Sequence, residues 1–171
     1  MKHTETQPYL SIVVPAYNEE QRLPQTLRTI TSHLQAKSYT GEIIVVDDGS
    51  TDSTVSAVKE FAATNPIVQL IRNEHQGKAY AVRTGVLASS GQHVLFMDAD
   101  GATPISEVDK LLPYLEGEYD VAIASREGLG ARRYNEPAYR HVMGRVFNFI
   151  VRSLALPGIQ DTQCGFKAFR R

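Results

Sequence analysis

The chain has 171 residues, 42% of them hydrophobic, a formal net charge of −1 and one cysteine, Cys164. That length suits one domain able to bury about 70% of its unfolded surface, and the composition is that of an ordinary globular protein. A lone cysteine excludes an intrachain disulfide and fits a reducing compartment, and no apolar run approaches the roughly 18 residues of a membrane span.

Residues 1–9 are polar and predicted to be a flexible N-terminus; everything from 10 to 171 reads as one domain. Leu10 to Val14 is a short β-rich run stopped by Pro15, hence a buried strand. From Glu19 to about Leu34, the residues Leu23, Leu27, Ile30 and Leu34 recur at helical spacing. Glu42 to Val46 predicts the second strand. Asp48-Gly49-Ser50-Thr51-Asp52 predicts a turn, with Asp52 or Ser50 capping a helix that runs to about Ala62. A third strand is expected at Ile67–Ile71, a third helix at Gly77–Ala88 and a fourth strand at His93–Met97. Ile105–Leu115 reads as helix, with Thr103 or Pro104 at its start, and Tyr119–Ala124 as a fifth strand.

Strands alternating with helices predict an α/β fold: a mainly parallel sheet covered by helices on both faces. Ligands of such sheets bind beyond the carboxyl ends of the strands. The polar clusters of this chain fall there: Pro15-Ala16-Tyr17-Asn18-Glu19, Asp47-Asp48-Gly49-Ser50 and Asp98-Ala99-Asp100. The last follows the apolar run Val94-Leu95-Phe96-Met97, so it offers two carboxylates at the end of a buried strand. Mg²⁺ or Mn²⁺ carrying a diphosphate needs such hard oxygen ligands.

The charge is unevenly spread. Residues 1–125 carry 9 Lys/Arg against 16 Asp/Glu, whereas residues 126–171 carry 9 against 3. A basic C-terminal third fits either an anionic partner, phosphate or lipid headgroup, or a solvated basic face. Residues 125–137 form a basic, glycine-containing loop with Arg126, Arg132 and Arg133. Residues 138–156 read as one amphipathic helix in which His141, Arg145, Asn148 and Arg152 make a polar stripe. Its wide apolar face suits a membrane interface, or packing against this domain or a further segment. Elsewhere the plain readings compete with the functional ones. Asp52 reads as a helix cap, Gly77-Lys78 as a turn or a phosphate contact, and Cys164 as a packed side chain. His75 and His93 read as structural or surface groups, and Tyr17 as a ring packed in its loop or facing a nucleotide.

Together with Gly77-Lys78 and Asp161-Thr162-Gln163-Cys164-Gly165-Phe166-Lys167, these clusters resemble the family-2 glycosyltransferases, in family order from about residue 9 onward. The Asp161–Lys167 string and Asp98-Ala99-Asp100-Gly101-Ala102-Thr103 are similar to the branch that glucosylates dolichyl phosphate and to its polyprenyl-phosphate relatives. The resemblance implies the Rossmann-like GT-A fold. It assigns Pro15, Tyr17 and Glu19 to base and ribose and Asp48 to the base edge. Val46, Lys78 and Ala99 complete the nucleotide-sugar set. It assigns Asp98 and Asp100 to a divalent cation (Mg²⁺ or Mn²⁺) and the diphosphate, with Asp100 also catalytic. Arg126 is expected near the phosphates and Asp161 near the reacting centre, with Arg126, Arg132 and Arg133 on the acceptor phosphate. Mannosyl relatives carry Gln where this chain has Ala102. That departure implies the glucosyl branch, or a metal shell completed by water and diphosphate.

The implied activity is inverting transfer of a hexose, glucose from UDP-glucose, onto dolichyl or polyprenyl phosphate. The implied place is peripheral, at the cytoplasmic face of a membrane, with no nucleic-acid partner. Family domains continue well past the position of Arg171, so the chain is expected to be cut short at that end. Two other readings stand beside this one. A hydroxyl acceptor would make Asp161 a general base, and the chain could be a nucleotide-sugar-binding module without activity.

Overall fold

The computed structural model describes residues 7–125 and 164–171. Arg126, Arg132, Arg133, Asp161 and the expected helix over 138–156 lie outside the described residues.

Six strands form one sheet: β1 (Leu10–Ala16), β2 (Gly41–Asp47), β3 (Val68–Arg72), β4 (His93–Met97), β5 (Val121–Ile123) and β6 (Phe166–Arg170). Their spatial order is β3-β2-β1-β4-β6-β5. The first four run parallel, whereas β6 is antiparallel to both β4 and β5. Between them lie α1 (Leu23–Gln35), α2 (Thr54–Thr64), α3 (Lys78–Ala88) and α4 (Val108–Glu116), the last preceded by a 3₁₀ turn at Ile105–Glu107.

The central strands are continuous apolar runs because helices cover both of their faces. On one face, Leu27 and Ile30 of α1, Val58 of α2 and Leu115 of α4 join Ile12, Val14, Ile43 and Val45 in one buried cluster. On the other face, Val13, Ile44, Val46 and Val94 lie under Ala81 of α3. Burying each such side chain contributes about 1.5–3 kcal/mol. Close approach of α3 depends on Gly85, where a Cβ would come within 2.3 Å of Val13 Cγ1.

One feature of the register creates the site. Pairing of β1 with β2 runs to Ala16↔Asp47, but pairing with β4 ends at Val13↔Phe96. Beyond that point β1 has a neighbour on one side only, so Pro15 extends the strand although it lacks an N–H. A crevice therefore opens between the carboxyl ends of β1 and β4, where the strand order reverses.

Three expectations need correction. The first helix starts at Leu23, not Glu19; residues 19 and 20 belong to a loop tied to the segment before α2, their N–H groups donating to Thr54 Oγ1 and Asp52 Oδ2 at 2.8 and 3.2 Å. Pro24 then fits the first helical turn, where no N–H is needed. The fifth strand is three residues long and pairs antiparallel at the sheet edge. Phe166–Arg170, expected only as part of a motif, is a strand between β4 and β5 with Phe166 and Ala168 buried.

At the opposite rim, buried Glu42 accepts from Ser11 Oγ at 2.5 Å, from the Ser90 N–H at 2.7 Å and from Ser90 Oγ at 2.8 Å. Burial alone would raise its pKa, but these donors outweigh it and hold Glu42 below the ordinary glutamate value.

Candidate functional site

The crevice is a cleft of about 290 Å³. Pro15, Tyr17, Glu19, Asp48, Lys78, Asp98, Ala99 and Asp100 all line it, so it gathers residues from three loops and the start of α3. Val46 does not: it is fully buried in the core beneath α3.

The loop after β1 is stitched to the loop after β2. Asn18, at φ 54°, accepts the Thr51 N–H through Oδ1 at 2.9 Å, and its own N–H donates to Ser50 Oγ at 2.9 Å. Asp52 accepts the N–H of Thr54 at 2.9 Å from one residue before Ser53, the N-cap of α2, whose own side chain makes no capping bond. Burial raises the pKa of Asp52, but donation from Thr54 and Glu20 lowers it by more. Ser50 serves Asn18 instead of the helix. Glu19 is held by a two-pronged ion pair with Arg22, at 2.7 Å on each prong. These contacts fix the direction in which Tyr17 leaves β1.

Asp48 is 2% exposed and ties β2 to the loop before α3. The N–H groups of Gln76 and Gly77 donate to its Oδ1 and Oδ2 at 3.0 and 2.8 Å. Nδ1 of His75 lies 2.8 Å from Oδ2, and the His75 ring stacks on Tyr17 with centroids 4.3 Å apart. His75 is therefore a wall of the cleft rather than an incidental surface group. Nothing local marks it; its place follows from the Asp48 carboxylate meeting its loop. Gly49, at φ 76°, makes this approach possible, because a Cβ there would fall 2.9 Å from the main-chain nitrogen of His75.

On the β4 side, the Asp98-Ala99-Asp100 turn is anchored by Thr26 of α1, whose hydroxyl donates to the Ala99 carbonyl at 2.8 Å. Asp100 is exposed, and its Oδ1 accepts the Ala102 N–H at 3.0 Å. Asp98 packs on Gly165, where a Cβ would lie 2.0 Å from Oδ2. Lys78, the first residue of α3, places Nζ 2.6 Å from Asp98 Oδ1. An ammonium group thus already occupies the position of a cation on Asp98.

Among the described residues no group of three or more His, Cys, Asp or Glu side chains converges as a metal cage. Asp98 and Asp100 fit a Mg²⁺- or Mn²⁺-type ion that takes its remaining ligands from diphosphate and water. Electrostatics favours the same arrangement. The cleft is lined by Glu19, Asp48, Asp98 and Asp100 against Lys78, so a polyanionic ligand gains by arriving with a cation.

A twisted, mainly parallel sheet with helices on both faces and a carboxylate pair at its switch point is the GT-A arrangement. The sequence model "Glycosyl transferase family 2" matches residues 11–171, and the chain belongs to that family. It is 42% identical over 183 residues to a dolichyl-phosphate beta-glucosyltransferase of Drosophila melanogaster, covering 95% of this chain and 54% of the relative. The human protein of the same description is 37% identical over 179 residues, with 95% and 55% covered. The chain thus spans about half the length of the curated relatives it matches. A solved structure of glucosyl-3-phosphoglycerate synthase from Mycobacterium tuberculosis with Mn²⁺, UDP-glucose and phosphoglyceric acid superposes at a TM-score of 0.70. That likeness covers 95% of this chain and 56% of the other at 23% identity, and it establishes the fold.

Proposed function

We propose that this domain transfers glucose from UDP-glucose, with inversion, onto dolichyl or polyprenyl phosphate at the cytoplasmic face of a membrane. The observation that carries the proposal is the convergence of Tyr17, Asp48, Asp98 and Asp100 on one cleft. The identity to dolichyl-phosphate beta-glucosyltransferases across 95% of the chain supports the acceptor and the sugar.

Each residue has a role that follows from its setting. Tyr17 and His75 offer a stacked aromatic wall to the base. Asp48 holds the 75–77 loop and presents its remaining lone pairs to a base N–H. Asp98 and Asp100 would hold a divalent cation, which when bound supplies Lewis-acid stabilisation of the departing diphosphate. Lys78 adds positive charge beside the same phosphates.

The acceptor phosphate, with a second pKa of about 6, is largely a dianion near neutrality. Its oxygen attacks the anomeric carbon opposite the leaving group. The new bond forms as the anomeric C–O bond breaks, and the electron pair leaves on the nucleoside diphosphate. No proton has to be removed, so Asp161 in this reading orients neighbouring cations. Arg126, Arg132 and Arg133 are proposed to receive the acceptor phosphate. Among the described residues no helix is long and apolar enough to cross a membrane.

The test is incubation with labelled UDP-glucose, Mn²⁺ and dolichyl phosphate, followed by extraction of the lipid product. Release of glucose from that lipid by mild acid is the expected result, since a glycosyl phosphodiester is acid-labile. An acid-stable glycoside on a hydroxyl acceptor, or UDP binding with no transfer, would overturn the proposal.

A further inference from the structure

We infer that Lys78 is an internal counter-ion for Asp98 in the donor-free protein, displaced when a divalent cation arrives and passed on to the diphosphate. The inference rests on reading Asp98 and Asp100 as cation ligands. Nζ of Lys78 lies 2.6 Å from Asp98 Oδ1. An ammonium and a divalent ion cannot share one carboxylate oxygen at that distance, because their repulsion is large wherever water is partly excluded.

Asp98 is the more confined of the two: its carboxylate is backed on one side by Gly165, where a single added carbon would fall 2.0 Å from Oδ2. Lys78 is the partner that moves. Its side chain is 58% exposed and extends from the first residue of α3, directly after Gly77. A flexible four-carbon stem lets the charge travel several ångströms without moving the helix. The Phe96 ring, 5.6 Å from Nζ, marks one side of its path.

Lys78 then affects the two ligands in opposite directions. By competing for Asp98 it weakens cation binding to the nucleotide-free protein. Once a nucleoside diphosphate enters, the displaced ammonium gains phosphate oxygens as partners, so nucleotide and cation each strengthen the other's binding. A residue that only supported the fold would shift both affinities the same way.

The test is Mn²⁺ titration followed by electron paramagnetic resonance of the free ion, with and without UDP, on wild type, Lys78→Met, Lys78→Gln and Lys78→Arg. Far-UV circular dichroism checks folding. Without UDP, Lys78→Met and Lys78→Gln are expected to bind Mn²⁺ roughly fivefold more tightly than wild type, the scale of a partly exposed ion pair. At saturating Mn²⁺ their UDP affinity should fall by about fivefold or more, while Lys78→Arg stays near wild type on the Mn²⁺ arm. If wild type binds Mn²⁺ and the neutral variants bind it equally or more weakly, the counter-ion role is wrong and the cation site stands. If no form binds Mn²⁺, the reading of Asp98 and Asp100 fails and the inference fails with it.

Discussion

The Asp98 carboxylate rests directly on the main chain of Gly165. β6 runs antiparallel beside β4 with Phe166 opposite Met97, so the next step along the ladder brings Gly165 to Asp98. A Cβ on Gly165 would lie 2.0 Å from Oδ2 and 2.4 Å from Cγ of the aspartate. Glycine is the residue that leaves this carboxylate its place, which gives the Cys164-Gly165-Phe166 sequence a steric reason.

Gly165→Ala should therefore displace Asp98 by about 1 Å, and transfer should fall by roughly 100-fold. The crowding should reduce stability by only about 1–3 kcal/mol. Paired measurements of Mn²⁺-supported UDP binding and of the urea midpoint check this. Unchanged binding with a lowered midpoint would show that Gly165 serves packing alone.

Asp48→Asn sets a donor against a donor. An amide keeps one acceptor oxygen for the N–H groups of Gln76 and Gly77, and its NH₂ faces the other N–H. Leaving one part-buried N–H unmet should reduce stability by about 1 kcal/mol. The 75–77 loop should loosen, and UDP binding should weaken with or without Mn²⁺. Equilibrium urea unfolding and calorimetry read the two effects separately.

Acid stability depends on Glu42 at the far rim. Its pKa in the folded protein is depressed, so the unfolded state binds the proton more readily and stability falls with falling pH. The contribution is fully present above the unfolded value of about 4.3 and is lost as pH drops through the lower folded value. His93 and His33 are also depressed, chiefly by burial, and give a slope of the same sign beginning near pH 6.5. Glu42→Gln should lessen the loss below about pH 4.3, leaving the part that the depressed Asp52 contributes, keep the histidine slope above it, and reduce stability near neutrality by about 1.5–3 kcal/mol. Melting temperatures from pH 3 to 8 check all three.

The parallel half of the fold was legible because its signals are local. His93–Met97 is a continuous apolar run and forms a strand with those bounds, and Leu23, Leu27, Ile30 and Leu34 face one core cluster. The antiparallel edge was not legible, because β5 and β6 owe their places to each other across a long sequence separation. Phe166 and Ala168 alternate as strand residues should, yet the run is short and lies inside a polar motif. The cleft followed from strand ends, which is why Tyr17, Asp48, Lys78, Asp98 and Asp100 meet as expected. His75 was hidden because its ring is set by the carboxylate and main-chain carbonyl of Asp48, 27 residues away, and by the Tyr17 ring. Val46 shows the converse: the resemblance put it in the nucleotide-sugar set, but strand alternation turned its side chain into the core.

Asp100 permits the most direct test of a cation-dependent donor site. Its Oδ1 accepts the Ala102 N–H at 3.0 Å, a bond that Asp100→Asn keeps, so the turn should survive the loss of charge. Calorimetric titration of UDP-glucose into wild type and Asp100→Asn, each with Mn²⁺ and with chelator, is the measurement. Wild type should bind far more tightly with Mn²⁺, and the variant should bind at the chelator level in both conditions. An Asp100→Asn protein that keeps the full Mn²⁺ enhancement would contradict the account.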